Sequence, residues 1–133
     1  MNYILGIGLT TINQIETNDN VFTFASSIDI KDLGEIERLV FGNHTVSKDQ
    51  KSSITGKLTI SNCNELTTLI IGNNGFMNVR LMDISDLGML NKVVIGTNTL
   101  IEMEEFKATN LKKLRAMNVG EGSLTNIQKY VNI

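Results

Sequence analysis

Leu66-Thr67-Thr68-Leu69-Ile70-Ile71-Gly72-Asn73-Asn74-Gly75-Phe76 carries apolar residues at its first, fourth, sixth and eleventh places and asparagine at its ninth. The same spacing returns two dozen residues later in Leu90, Val93, Ile95, Asn98 and Leu100. Self-similarity at a fixed period of this size marks a solenoid, a coil of stacked short units, rather than a globule with one centre.

Numbering each unit from its first apolar anchor puts Ile12, Ile36, Leu66, Leu90 and Leu114 at position 1. Position 4 is then Ile15, Leu39, Leu69, Val93 and Met117, and position 6 is Thr17, Phe41, Ile71, Ile95 and Val119. Position 11 is Phe22, Val46, Phe76, Leu100 and Leu124. Successive anchors are separated by one constant step except between Ile36 and Leu66, where the step is longer by six. The six extra residues enter within 47–54, in the polar stretch Ser47-Lys48-Asp49-Gln50-Lys51-Ser52-Ser53. Residues 1–133 therefore read as a single repeat array.

A second apolar set fills the rest of each unit. Ile28, Leu58, Met82 and Phe106 share position 17; Ile30, Ile60, Ile84 and Ala108 share position 19; Leu33, Cys63, Leu87 and Leu111 share position 22. Apolar residues two apart with polar neighbours predict an extended segment with one buried face. Each coil thus has two such segments, with no room between them for a helix of more than about two turns. The reading is mainly β: a parallel sheet on one side, and on the other a second short-strand sheet or turns. The sequence leaves open whether that second side is strand or irregular.

The pattern at Leu66–Phe76 resembles the leucine-rich repeat, L-x-x-L-x-L-x-x-N-x-L. Leu66–Phe76 and Leu90–Leu100 match in full; Ile12–Phe22 departs at Thr17, Ile36–Val46 has His44 in the asparagine place, and Leu114–Leu124 has Gly122 there. The units are most similar to those of microbial surface and secreted repeat proteins. The resemblance implies a right-handed coil and protein recognition through the first, concave-side sheet.

A unit of this kind buries its apolar face only against the coils above and below it. Asn20, Asn74 and Asn98 are expected to form an internal side-chain ladder at the turn after the first strand, because buried turn amides need partners. His44 can join through a ring nitrogen, whereas Gly122 cannot, so the last coil should be looser. Gly42, Gly72, Gly96 and Gly120 share position 7. Either the backbone there takes positive φ, or it approaches something closely.

Acidic and basic residues nearly cancel, 14 against 12, which gives no electrostatic footprint for nucleic acid or an anionic membrane surface. No apolar run approaches the ~18 residues of a membrane span, and residues 3–9 lack the basic flank and length of a signal peptide. The compartment stays open between the cytoplasm and a longer surface or secreted protein. Cys63, the single cysteine, fits a small buried hydrophobe and rules out an internal disulfide. No catalytic constellation or metal-ligand spacing stands out and no cofactor is expected; His44 is the sole histidine, and Gly6-Ile7-Gly8 lacks the rest of a phosphate loop. The chain is read as a non-enzyme.

The outward residues of the first sheet are Gln14 and Glu16, Arg38 and Val40, Thr68 and Ile70, Lys92 and Val94, Ala116 and Asn118. Val40, Ile70 and Val94 would stack as an exposed apolar stripe beside Arg38 and Lys92. Such a patch suits a binding surface, although β-branched residues also favour strands for their own sake. Arg38, Val40, Thr68, Ile70, Lys92, Val94 and Asn118 are therefore the candidate partner-binding residues, and the partner is an unidentified protein. A competing reading takes the chain as a structural spacer or surface adhesin segment that assembles end to end. It rests on the ends: Ile4 falls at position 17, Leu9 at 22 and Tyr130 again at 17, so the array opens and closes partway through a coil with no polar cap. The expectation is either a longer array or ends that stack on a neighbouring chain.

Overall fold

The structure, a computed structural model, describes residues 2–5, 13–19, 27–44, 56–76, 79–124 and 129–132. The strands are β1 (Asn2–Leu5), β2 (Gln14–Glu16), β3 (Ser27–Lys31), β4 (Arg38–Phe41), β5 (Gly56–Ser61) and β6 (Thr68–Ile71), then β7 (Val79–Ser85), β8 (Lys92–Ile95), β9 (Glu105–Thr109), β10 (Met117–Val119) and β11 (Lys129–Asn132). Successive strands alternate between two parallel sheets. The first sheet has the order β10-β8-β6-β4-β2, and the second β1-β3-β5-β7-β9-β11. The result is a β-solenoid with no helix among the described residues. Each coil gives one strand to each sheet, so β5 and β6 form the third coil and β9 and β10 the fifth.

The register follows the period. Leu39, Leu69, Val93 and Met117 stand side by side across the first sheet, and Ile28, Leu58, Met82 and Phe106 across the second. The alignment holds outside the strands too. At position 2, Glu37 N–H donates to the Asn13 carbonyl, Thr67 N–H to that of Glu37, and Asn91 N–H to that of Thr67. Leu66 and Leu90, one residue before two of these rungs, are fully buried. The six-residue insertion within 47–54 lies outside the described residues. Its effect is nevertheless visible: paired residues on either side of it are further apart along the chain than those of later coils, yet regain register at once.

The core is a column of side chains between the sheets, made by positions 4, 6, 17 and 19 and closed at one corner by positions 22 and 1. There Leu66 N–H reaches the Cys63 carbonyl and Leu90 N–H that of Leu87, a tight turn of three residues' span. Phe41 and Phe76 meet edge to face inside it, with ring centroids 5.2 Å apart.

Of the two possibilities the sequence leaves open for the second side, strand or irregular, the structure shows strand. The second side is a full sheet with strands of four to seven residues, longer than the three or four of the first. Parallel neighbours pair the backbone groups of its inner strands, and buried backbone groups need such partners. At the start, Tyr3 rather than Ile4 stands opposite Ile28, because β1 pairs with β3 at an offset of one extra residue. Leu9 lies outside the described residues. Tyr130 stands opposite Phe106, in the expected phase. A further slip separates Gly56 and Lys57, whose partners are Val79 and Leu81, so Arg80 is the extra residue of a bulge. Its carbonyl accepts from Glu104 N–H and its guanidinium pairs with the Glu104 carboxylate in the next coil.

Candidate functional site

The outward face of the first sheet is two parallel columns of side chains. One runs Gln14, Arg38, Thr68, Lys92; the other runs Glu16, Val40, Ile70, Val94, Asn118. Alternation decides this: within each strand the residues between these face the core, as in β6, where Leu69 and Ile71 are buried. Strands lie about 4.8 Å apart, so Val40, Ile70 and Val94 form an apolar strip spanning about 10 Å across the sheet. All three are half-buried by one another and by their neighbours, whereas Arg38 and Lys92 are exposed, with Thr68 between them. The strip ends in Glu16 on one side and Asn118 on the other, both exposed. Ala116 is exposed beside this face and falls just before β10. A shallow, polar groove of 290 Å³ lies at the strand beginnings, lined by Asn13, Gln14, Glu37, Arg38, Thr67 and Thr68.

Position 9 behaves differently from the expected ladder. His44, Asn74 and Asn98 have φ of 58, 55 and 50°, and Gly122 has 79°. The residue type is explained by this left-handed backbone, which glycine adopts freely and asparagine and histidine more readily than other side chains. Their backbone N–H groups donate to the carbonyls of Asn73, Thr97 and, for Asn98, Glu121 in the next coil. The side-chain ladder runs one position earlier. Asp19 Oδ1 accepts from Asn43 N–H, Asn43 Oδ1 from Asn73 N–H, and Asn73 Oδ1 from Thr97 N–H, at 2.8–2.9 Å. Asn20 lies outside the described residues.

Position 10 adds a hydroxyl rung. Buried Thr99 donates to the Gly72 carbonyl at 2.7 Å, and Ser123 to that of Gly96 at 2.6 Å. Position 21 is a second left-handed corner, occupied by Asp32, Asn62, Asp86 and Asn110. Asn62 there donates to Asp32, and Asn110 to Asp86. The uniform Asp/Asn identity at position 21 was the signal in the sequence that would have found this corner.

The glycines of position 7 resolve in favour of close approach, since Gly42, Gly72, Gly96 and Gly120 do not take positive φ. A Cβ on Gly72 would fall 2.7 Å from the Gly42 carbonyl carbon and 2.6 Å from Asn43 Oδ1. The glycines let successive coils touch.

Cys63 is fully buried, its thiol donating to the Ser61 carbonyl at 3.3 Å. Burial pushes the thiol up; a hydrogen bond with the Leu33 backbone partly offsets this, and the Asp32 charge adds a smaller rise. Among the described residues no group of three His, Cys, Asp or Glu is arranged to hold a metal ion, and no helix is long and apolar enough to cross a membrane.

The fifth coil is less complete than those before it. A cavity of 320 Å³ opens there, lined by Phe106, Ala108, Leu111, Leu114, Met117 and Val119 with Arg115 and Ala116 beside them. Comparison of the chain with family models, with curated proteins and with solved structures finds no match.

Proposed function

We propose that this chain is a non-enzymatic recognition module of the leucine-rich-repeat kind, binding another protein through the outward face of its first sheet. The supporting observation is the in-register strip Val40, Ile70, Val94, set beside the exposed cations Arg38 and Lys92. A partner that completes the burial of three β-branched side chains gains a part of the ~1.5–3 kcal/mol that each is worth when fully buried. Arg38 and Lys92 would orient that partner and favour an acidic surface. The kinship with leucine-rich repeats rests on the spacing at positions 1, 4, 6, 9 and 11, now joined to a parallel first sheet with positions 4 and 6 inside.

The test is the double variant Ile70→Glu, Val94→Glu. Both side chains point away from the core, so circular dichroism should be unchanged. Proteins retained from the source organism by the native chain should be lost from the variant. Equal retention by both would reject this face. The competing reading is a spacer or adhesin segment assembling end to end. It predicts association that grows with concentration and survives the double substitution.

A further inference from the structure

The apolar strip lies on coils that have a neighbour on both sides. β4, β6 and β8 are the inner strands of the first sheet, and Val40, Ile70 and Val94 stand opposite one another across them. Arg38 and Lys92 are two residues away along their own strands, both exposed and both on one flank of the strip. On the other flank position 7 is glycine in all three coils, so no side chain rises there. The face is a shelf with a cationic wall on one side only.

Neither cation is spent on the fold. Among the described residues the ion pairs are Lys31 with Asp29 and Arg80 with Glu104. The carboxylates beside this face, Glu16 and Glu37, are exposed at the Arg38 end, so the Lys92 end is the more positive.

The spacing selects a shape. Columns cross the strands in steps of about 4.8 Å, so Val40 to Val94, and Arg38 to Lys92, span about 9.6 Å. An extended segment laid along a column repeats one face every ~6.7 Å, and is about 4 Å out of step after two repeats. Laid along the strands, it meets the strip at one place only. A helix laid along the column fits better. Its residues at i, i+3 and i+7 rise by about 0, 4.5 and 10.5 Å, against steps of about 0, 4.8 and 9.6 Å in the strip. Residues i−1 and i+6 lie on one side of that stripe, and their separation along the axis also approaches that of the two cations.

We infer that the first sheet receives an amphipathic α-helix of a partner protein, lying across the strands and carrying the run acid-apolar-x-x-apolar-x-acid-apolar. The inference rests on the reading of this face as the recognition surface, and adds the partner's form and charge. Three apolar side chains cover Val40, Ile70 and Val94, and the two acids meet Arg38 and Lys92. One of the two helix directions brings the acids to the cationic flank.

The probe is a fluorescein-labelled, alanine-rich peptide of about eighteen residues, long enough to form a helix in water. It is built around Glu-Leu-Ala-Ala-Leu-Ala-Lys-Glu-Leu. Fluorescence anisotropy against the full chain should show saturable binding, absent for a peptide of the same composition with its leucines at alternate places. Ile70→Glu should weaken it about tenfold or more, the scale of one apolar side chain lost from an interface. Arg38→Glu with Lys92→Glu should weaken it about tenfold, and a peptide with lysine for both glutamates should recover binding to that variant. This charge swap decides the matter if Ile70→Glu fails to fold by circular dichroism. No saturable binding, equal binding of the alternating peptide, or no recovery in the swap would each overturn the inference. So would self-association in sedimentation that Ile70→Glu abolishes, since a second copy would then hold the face. If the peptide fails while source proteins are still lost from the Ile70→Glu, Val94→Glu variant, the recognition face stands and the helix alone is rejected.

Discussion

The third and fifth coils are written with the same spacing but differ in what their residues experience. In the third, Leu69 and Ile71 are sealed between the second and fourth coils; in the fifth, Met117 is partly buried and Val119 exposed, and among the described residues β10 pairs with β8 alone. An inward position in a solenoid is thus a place defined by two neighbours, and position alone does not bury a residue.

The largest effect expected from this contrast is in core truncation. Leu69→Ala should destabilise the chain by about 2–5 kcal/mol, because the coils on both sides hold the cavity open. Met117→Ala should cost about 1 kcal/mol or less, since part of that side chain is already uncovered. Urea unfolding of both variants measures the difference, and equal losses would mean the fifth coil is sealed in solution.

Glycine substitutions sharpen the same contrast. Gly72→Ala and Gly120→Ala should each cost about 1–3 kcal/mol, from overpacking against the coil before. A Cβ on Gly120 would meet the Gly96 carbonyl carbon at 2.6 Å, so its clash does not depend on any coil beyond. Gly88→Ala, with nothing within 4 Å of its added Cβ, should be neutral or stabilising by up to about 1 kcal/mol. Thermal melts of the three would show whether the fifth coil is loose on one side only.

The smallest effect concerns Cys63 in the inner stack. Its folded thiol lies above its ordinary 9.0, so the neutral form is the one the fold favours. The associated stability is fully present below the unfolded thiol range and is lost as pH rises through the folded value. Labelling by a thiol reagent between about pH 7 and 9 should therefore follow global unfolding, with native chain protected. Rapid labelling of the native chain would show that the inner stack opens locally.

Much of the fold was legible from the anchors at Leu66, Leu69, Ile71 and their equivalents, because a period-two apolar pattern repeated every two dozen residues has one consistent stacking. The outward strip at Val40, Ile70 and Val94 followed from the same alternation. Position 9 was harder to read. Asparagine serves both as a side-chain acceptor and as a residue that tolerates left-handed backbone, and sequence alone does not separate these roles. The substitution series offered a clue: His44 and Gly122 have φ preference in common with asparagine, while glycine has no hydrogen-bonding side chain. Asp19, Asn43 and Asn73, one place earlier, do the bridging.

What the amino-acid order determined by itself is the winding: which residues face inward, which strands are neighbours, and where six extra residues enter the repeat. Those depend on local periodicity, which each unit carries within itself. Only the tertiary structure decided which asparagine spans two coils, how nearly the glycines touch, and that the second side of each coil is a full sheet. Each of these is a relation between coils that are remote from one another along the chain, and such relations exist only after stacking.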